Sequence, residues 1–306
     1  MFDTRTWTKL EPPKPRVEVT IDGIPVSVPE DATILDACSE AEVEVPTMCF
    51  GPNLTPRNAC RACVVEVEGQ RVLAPSCSRQ VSEGMAVSTD SERVRTSRKL
   101  VFELLGSSVD LGLAGMDDWV ARYGADTARF GEPVASVSDG THPGHHSPPS
   151  TDAAASVAQD PIIDNDLYVR DLGKCILCYK CVDACGVDAQ NSFAISVAGR
   201  GFDSRISTEF AIDLGSSACV FCGNCIGVCP TGALMGTVEF DMRADDTWDD
   251  GAQTVTRTVC SFCGVGCNLD LHVQDDRVVK VTSPADHSVA DGHLCIKGRF
   301  GWEHIQ

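Results

Sequence analysis

Cysteine is the residue type in this chain whose spacing predicts chemistry most strongly. Eight of the seventeen cysteines lie in two runs of the form C-x2-C-x2-C-x3-C, within the sequences KCILCYKCVDACG and ACVFCGNCIGVCP. The members are Cys175, Cys178, Cys181 and Cys185 in the first run, and Cys219, Cys222, Cys225 and Cys229 in the second. Thiolates at this spacing are typical ligands of [4Fe–4S] clusters. The duplicated run therefore predicts two such clusters.

The spacing also predicts how the two runs share their ligands. In two-cluster proteins of this kind, the fourth cysteine of each run binds the cluster of the other run. We expect this fourth cysteine to start a short helix that points away from the loop holding the first three. The predicted sets are Cys175, Cys178 and Cys181 with Cys229, and Cys219, Cys222 and Cys225 with Cys185. A pair of zinc ribbons is the alternative, but zinc sites usually pair two neighbouring thiolates with two distant ones.

Four further cysteines lie in an earlier segment that is rich in strand patterns. They are Cys49, Cys60, Cys63 and Cys77, in the order C-x10-C-x2-C-x13-C. The first gap is longer than that of plant-type ferredoxins, and turn-forming residues fill it, as suits a loop that wraps a cluster. The arrangement predicts a [2Fe–2S] site, with a zinc site or unrelated free thiols as the alternative.

The patterns around these cysteines predict a small domain of mixed helix and strand. Alternating residues on both sides of Asp22-Gly23 predict a β-hairpin, and residues 33–40 (TILDACSE) predict a short helix. The segments ACVVEVEG, QRVLA and GMAVST predict further strands. This is the layout of a β-grasp ferredoxin domain, which we place at residues 17–90. Cys38 lies on the apolar face of the helix, which predicts a buried thiol.

The last cysteines form the pattern C-x2-C-x3-C-x27-C, after a short acidic connection (DMRADDTWDDGAQ). They are Cys260, Cys263, Cys267 and Cys295. The segments LDLHV and RVVKV flank Asp275-Asp276 and predict a hairpin that folds the fourth cysteine back onto the first three. Three close cysteines and one distant cysteine fit a [4Fe–4S] cluster and also fit a zinc site.

Two stretches between the cysteine-rich segments have a different character. The sequence from Thr89 to Glu92 (TDSE) predicts a capping box that opens a helix to about Leu105. Its predicted apolar face consists of Val94, Val101, Leu104 and Leu105. Residues 133–160 are rich in Ser, Ala, Pro, Gly and Asp, which predicts a flexible linker. A short cluster in it could bind metal but is expected to be solvated: His142, His145 and His146.

Charge and composition exclude several classes of protein. The net charge of −19 at pH 7 argues against a nucleic-acid groove, which needs a basic stripe. The start of the sequence lacks a basic segment followed by an apolar run, and no apolar stretch reaches membrane-spanning length. Clustered cysteines without a secretory leader indicate metal binding in a reducing cytosol rather than disulfides. We therefore expect a cytoplasmic protein without a membrane span.

In combination, these motifs resemble the N-terminal iron–sulfur half of the alpha subunit of NAD-dependent, molybdenum- or tungsten-containing formate dehydrogenases. The first four-cysteine segment resembles the [2Fe–2S] domain shared with complex I and iron hydrogenases. The run VRDLGKCILCYKCVDAC with ACVFCGNCIGVCPTGAL resembles the double-cluster domain of formate dehydrogenases and hydrogenases. The run CSFCGVGCNLDLHV with HLCIKGRFGWEHI resembles the opening of the molybdopterin oxidoreductase fold.

The resemblance implies one [2Fe–2S] and three [4Fe–4S] clusters, with molybdopterin, FMN and NAD on partner chains. Electrons would enter at the cluster of the last four cysteines and leave near the [2Fe–2S] end, toward a flavin subunit that reduces NAD. Lys297 matches a lysine that lies between cluster and pterin in that family. The alternative is that Lys297 is an ordinary exposed lysine.

Two departures from the family pattern matter. Relatives usually carry a further cluster, held by one His and three Cys, after the β-grasp domain. Residues 104–124 (LLGSSVDLGLAGMDDWVARYG) lack these ligands, so we expect that cluster to be absent. The family's catalytic domains follow its last cluster, whereas this sequence stops at Gln306. We therefore expect no catalytic residue and no complete molybdenum site in this chain.

The sequence thus predicts a multi-domain α+β protein that relays single electrons between a molybdopterin site and a flavin/NAD site on partner chains. The alternatives are a stand-alone electron carrier and the electron-input subunit of a hydrogenase or a complex I-like assembly. The doubled run and the last cysteine module argue against the hydrogenase and complex I alternatives. The predicted segments are a tail (1–16), the β-grasp domain (17–90), a helical segment (91–132), the linker (133–160), a two-cluster ferredoxin-like domain (161–242) and a β-rich [4Fe–4S] module (254–306).

Overall fold

The computed structural model describes residues 14–107, 109, 111–130, 160–200, 204–286 and 289–302. The three linker histidines, His142, His145 and His146, lie outside the described residues. The chain divides into two compact units, Met1–Pro46 with Cys63–Arg98, and Thr47–Ala62 with Lys99–Gln306. The boundaries of the six predicted segments stay predictions.

The first unit contains a five-stranded sheet. Its strands are β1 (Arg16–Ile21), β2 (Ile24–Pro29), β3 (Val64–Val67), β4 (Ala74–Pro75) and β5 (Ala86–Ser88), in the order β2-β1-β5-β3-β4. Strands β1 and β5 pair in parallel and the other neighbours are antiparallel. Asp22 and Gly23 take positive φ values of 48° and 86° between β1 and β2. The predicted hairpin is therefore confirmed, since a two-residue turn of this kind requires positive φ at both positions.

Helix α1 (Ile34–Glu40) packs against this sheet. Alternation along β1 places Val19 and Ile21 in the same core as Ile34 and Cys38. Cys38 is fully buried, as its helical position predicts. A reciprocal pair of hydrogen bonds between Thr33 and Asp36 begins the helix: the Thr33 hydroxyl accepts from the Asp36 N–H, and the Asp36 carboxylate accepts from the Thr33 N–H.

The cap predicted for the next helix, α2 (Glu92–Gly106), is wrong. The Ser91 hydroxyl accepts a hydrogen bond from the Val94 N–H, which makes Ser91 the residue that begins the helix. Thr89 is not the cap because its hydroxyl and its N–H both donate to the carboxylate of Asp22. A tertiary contact with the β1–β2 turn thus replaces the local contact that the sequence pattern suggests.

The apolar face predicted for α2 is also shifted. Leu104 is 55% exposed, whereas Val94, Arg98 and Phe102 follow one another at four-residue spacing and are buried. The Arg98 guanidinium donates to the backbone carbonyl of Val64 within the first unit. Hydrophobic periodicity alone misses this face because a buried arginine occupies its centre.

The second unit continues with short elements. They are α3 (Asp117–Tyr123), β6 (Tyr168–Arg170), α4 (Lys180–Cys185), β7 (Ser196–Ala198), β8 (Arg205–Ser207), α5 (Asn224–Gly227), β9 (Leu234–Gly236) and α6 (Thr237–Ala244). Strand β6 pairs with β9, and β7 with β8, both antiparallel. Helix α6 is not among the elements predicted from the sequence, and its last four residues belong to the acidic connection DMRADDTWDDGAQ. No helix in the described part of the chain is long and apolar enough to cross a membrane.

The positions of α4 and α5 correct a prediction. The fourth cysteine of the first run, Cys185, ends α4 instead of starting a helix. The reason is that Tyr179, at a positive φ of 68°, turns the chain into the helix directly after the second cysteine, Cys178. Gly223, at φ 71°, has the same position before α5.

The described chain ends in a three-stranded antiparallel sheet and a short helix. The elements are β10 (Thr254–Val259), β11 (Asn268–Gln274), β12 (Arg277–Thr282) and α7 (Ile296–Phe300). Asp275 and Asp276 turn between β11 and β12 at φ 51° and 59°, so the predicted hairpin is present. Strand β10 is not predicted from the sequence; all six of its residues are exposed, and no buried–exposed alternation marks it.

Thr33→Ala tests the capping contact of α1. We expect the free energy of unfolding to fall by about 1 kcal/mol, the usual cost of removing a hydroxyl cap. Urea unfolding followed by far-ultraviolet circular dichroism measures the change. Ser39→Ala is the matched control, since Ser39 is exposed within the same helix. A Thr33 variant as stable as the Ser39 variant would contradict the role of the cap.

Candidate metal centres

The eight cysteines of the duplicated run line two cavities in the second unit. Cavity A is lined by Cys175, Cys178, Cys181 and Cys229. Cavity B is lined by Cys185, Cys219, Cys222 and Cys225. This is the grouping that the crossed ligand sets require. Ile206 and Leu234 line both cavities, so the two cavities are neighbours within the second unit.

The two runs fold into similar loops. Both have positive φ at the same two positions, Leu177 and Tyr179 in the first loop, and Phe221 and Gly223 in the second. The turns direct the N–H of Leu177 at the Sγ of Cys175, and the N–H of Phe221 at the Sγ of Cys219, each at 3.4 Å. Three of the four positions carry a side chain that disfavours positive φ, and strain of this kind is concentrated at functional loops.

Burial makes three thiols of the first cysteine run, all lining cavity A, weaker acids. It raises the pKa of Cys175 to about 11 and that of Cys178 to about 12, and it raises the pKa of Cys181 well above the ordinary value. A bound metal ion deprotonates its thiol ligands outright, which removes this penalty. Four thiols around a cavity with mostly apolar walls are a soft donor set that fits an iron–sulfur cluster.

Hydroxyl groups approach two of the thiols in cavity B. The Oη of Tyr168, whose side chain is fully buried, lies 3.1 Å from the Sγ of Cys219. The Ser192 Oγ lies 3.7 Å from the Sγ of Cys185 and donates to a backbone carbonyl of the neighbouring loop. The Tyr168 hydroxyl can donate to ligand sulfur, and such a bond orients the sulfur and raises the potential of a bound cluster. The Ser192 proton is taken by the backbone carbonyl.

The last four cysteines gather at one end of the β10-β11-β12 sheet. Cys260 follows β10 and Cys267 precedes β11, and the N–H of Cys260 donates to the carbonyl of Cys267 at 2.8 Å. Cys295 is the residue that begins α7. Burial first, and then the neighbouring charges of Cys260, Cys263 and Cys295, raise the pKa of Cys267, which indicates that the four thiols lie close together.

The four cysteines predicted to hold a [2Fe–2S] cluster fall in both compact units, two in each. In the first unit, the Sγ atoms of Cys63 and Cys77 are 3.4 Å apart. In the second, the N–H of Cys60 faces the Sγ of Cys49 at 3.5 Å. The contact between these two thiols lowers the pKa of Cys60 to about 5 and raises that of Cys49. Joint ligation of one cluster by both pairs stays a prediction.

The loop of residues 47–62 is held against α4 within the second unit. The Arg57 guanidinium binds the carboxylate of Asp183 through Nε, at 2.9 and 3.0 Å, and through Nη2. The Asp183 side chain is only 2% exposed. Thr55 donates its N–H and its hydroxyl to Asp188 at 2.7 and 2.9 Å. Because Asp183 lies within the first cysteine run, these contacts fix the loop beside cavity A.

The thiols are not joined in disulfides, and they do not converge tightly enough to bind a single metal ion. All seventeen cysteines are described by the structure, and none of them forms a disulfide. Among the described residues, no three His, Cys, Asp or Glu side chains converge as a site for one metal ion would require. Lys297 is exposed on α7, and its role toward a pterin stays a prediction.

Sequence reasoning missed three groups near the cysteines. They are Tyr168, the Arg57–Asp183 pair, and Arg299, which is buried beside the second cysteine loop. A signal existed for Arg299, since it follows Cys295 by one helical turn. Another existed for Asp183, a carboxylate between two cysteines of one run. Tyr168 and Arg57 carry no local signal, because their partners are distant in sequence.

Three family models match successive parts of the chain. Residues 14–92 match a 2Fe-2S iron-sulfur cluster binding domain, residues 174–233 match a 4Fe-4S dicluster domain, and residues 253–306 match the molybdopterin oxidoreductase Fe4S4 domain. The chain is an iron–sulfur module of the molybdopterin oxidoreductase family. The matched domains indicate both 2Fe-2S and 4Fe-4S clusters. The first and last domains each contain one set of four cysteines, and the middle domain contains the two sets of cavities A and B.

Several relatives of the module are subunits of larger enzymes. The NADPH-Fe(3+) oxidoreductase subunit alpha of Geobacter sulfurreducens is 34% identical over 94% of this chain and 31% of its own length. An NADH-quinone oxidoreductase subunit of Rhizobium meliloti is 30% identical over 95% of this chain and 32% of its own length. The NADP-reducing hydrogenase subunit HndD of Solidesulfovibrio fructosivorans is 35% identical over 71% of this chain and 35% of its own length. The module spans about a third of each relative.

The relatives do not single out formate dehydrogenases. "Putative formate dehydrogenase SH0748" of Staphylococcus haemolyticus is only 25% identical, over 94% of this chain and 31% of its own length. A crystal structure of an NAD+-reducing [NiFe]-hydrogenase shares the fold at a TM-score of 0.57 and 23% identity, covering 72% of this chain and 87% of that one. The resemblance to iron–sulfur subunits therefore holds, and formate as substrate is not established.

Arg57→Met tests how the loop of residues 47–62 is held. The change leaves the buried Asp183 carboxylate without its cation, so we expect the free energy of unfolding to fall by about 1–3 kcal/mol. Anaerobic urea unfolding, followed by visible circular dichroism, measures it. Arg257→Met is the control, because it removes a more exposed ion pair with Asp270 and should cost less. Equal losses in both variants would contradict a special role for Arg57.

Proposed function

We propose that this iron–sulfur module transfers electrons within an NADH- or NADPH-linked oxidoreductase. The observation that carries the proposal is the grouping of eight cysteines around cavities A and B, in a chain whose family matches are all iron–sulfur domains. The names of the Geobacter and Rhizobium relatives favour a complex that uses a nicotinamide nucleotide.

We assign sixteen of the seventeen cysteines as cluster ligands. Cavities A and B and the last four cysteines each hold one [4Fe–4S] cluster, and Cys49, Cys60, Cys63 and Cys77 hold one [2Fe–2S] cluster. When bound, such clusters take up and release one electron at a time. The residues of the chain hold the thiolates in place, exclude water with apolar walls, and aim backbone N–H and hydroxyl groups at sulfur.

We also propose the folds of two iron–sulfur domains and the source of the remaining cofactors. The sheet and α1 of the first unit adopt a β-grasp ferredoxin fold, and residues 161–242 adopt a ferredoxin-like fold. Partner chains, or sequence beyond this third of the relatives' length, supply FMN, NAD and molybdopterin. Lys297, exposed two residues after Cys295, is available to contact a pterin on such a partner.

Formate is the substrate that the sequence resemblance favours, and the names of other relatives support hydrogen or a quinone. The test uses the complex purified with its native partners under anaerobic conditions. We expect visible absorbance to bleach on addition of NADH or NADPH, and also of formate. Bleaching by hydrogen without a response to formate would overturn the formate assignment. Failure of both NADH and NADPH to bleach the protein would overturn the nicotinamide-linked proposal.

Iron content and double variants test the ligand assignment. The anaerobic protein should contain about fourteen irons, with one two-iron and three four-iron centres by electron paramagnetic resonance. Cys185→Ala combined with Cys222→Ala should lose about four irons in total, since both thiols line cavity B. Cys185→Ala combined with Cys178→Ala should lose about eight. If the first double variant lost about eight irons and the second about four, each run would bind its own cluster. A colourless protein containing zinc would refute the whole assignment.

A further inference from the structure

Arg299 is a buried cation at the junction of cavity B with the last cysteine module. It lies on α7 and its side chain is 5% exposed. The guanidinium donates from Nε to the carbonyl of Cys222 at 3.1 Å, from Nη2 to the side-chain oxygen of Asn224 at 3.3 Å, and from Nη1 to the carbonyl of Val281 at 3.4 Å. All three acceptors are neutral, so these contacts leave the positive charge in place.

The second cysteine loop closes tightly around this side chain. A Cβ atom on Gly223 would lie 2.3 Å from the Arg299 Cδ, and one on Gly227 would lie 3.1 Å from its Nη2. Both glycines flank Cys225, and Gly223 directly follows Cys222. The absence of a Cβ at these two positions brings the guanidinium against the loop that carries three of the four thiols of cavity B.

Arg299 lies beside the ligands of cavity B through its hydrogen bond to the backbone carbonyl of Cys222. Arg170 lines cavity B itself, but its guanidinium is paired with the carboxylate of Asp164. Arg299 therefore provides cavity B with a cation that its hydrogen-bond partners do not neutralise.

Arg299 also connects two of the cysteine sets. Its N–H donates to the carbonyl of Cys295 at 3.1 Å, and its Nε donates to the carbonyl of Cys222. Asn224 strengthens this connection, because its side-chain oxygen also accepts from the N–H of Leu294 at 2.9 Å. Arg299 thus joins a predicted ligand of the last cluster, through its own backbone N–H, to a predicted ligand of cavity B, through its side chain.

We propose that Arg299 is a positioning residue that holds a buried positive charge against the loop of cavity B and makes the cluster bound there easier to reduce than it would be without that charge. The inference rests on the proposed function. Reduction adds a negative charge, which a nearby cation stabilises, and net charge close to a cluster is among the factors that set its reduction potential. Tyr168, which approaches the Cys219 sulfur, acts in the same direction.

Redox titration of the full-length anaerobic protein, followed by electron paramagnetic resonance, tests the proposal. The signal of the cavity B cluster is identified as the one lost in Cys185→Ala. Arg299→Gln should make the potential of this cluster more negative and leave that of the cavity A cluster unchanged. Arg299→Lys keeps the charge and should stay close to the wild type. An unchanged potential in Arg299→Gln, or an equal shift of both clusters, would overturn the proposal.

Asn224→Asp decides the question if Arg299→Gln does not retain its clusters. The replacement is isosteric and sets a carboxylate against the guanidinium, while its oxygen still accepts from Leu294. We expect the same selective shift to a more negative potential, and no shift would refute the role of the charge. Wild-type protein without iron would instead refute the proposed function, so the two failures are distinguishable.

Discussion

The burial of thiols that cannot ionise easily by themselves is the constraint on which the rest of this structure depends. Burial raises the pKa of Cys175 and Cys178 to about 11 and about 12, yet the thiolate is the form that binds metal. A metal cluster bound by the thiolates would compensate for this cost, and the surrounding chain would then need only to hold the sulfurs at the correct positions. Short helices and two-stranded sheets are sufficient for that task when bound metal contributes to stability.

The same constraint explains the repeated loops. A four-thiol site needs ligands that point inward from a chain that also turns sharply, and the positive φ values at Leu177, Tyr179 and Phe221 provide these turns at a cost in backbone strain. The N–H groups released by the turns face the sulfurs of Cys175 and Cys219. The strained turns and the N–H groups that face sulfur are therefore parts of one loop conformation, which occurs in both cysteine runs.

The sequence predicts the parts of this structure that depend on local spacing. Cysteine spacing anticipates which thiols share a cavity, and the Asp-Gly and Asp-Asp pairs predict both hairpins. It does not predict contacts made at long range, such as that of Thr89 with Asp22, which moves the cap of α2 to Ser91. Strand β10 has no buried face and so carries no pattern of alternation.

The buried arginines show how an acidic chain accommodates anionic centres. A buried cation is costly unless other groups compensate its charge or satisfy its donors. Arg170 is paired with Asp164, and Arg98 donates to the carbonyl of Val64 in the first unit. Arg299 has only neutral acceptors, yet it lies against the loop that carries Cys222 and Cys225. A cluster bound through the sulfurs of that loop would supply the negative charge that the acceptors of Arg299 lack.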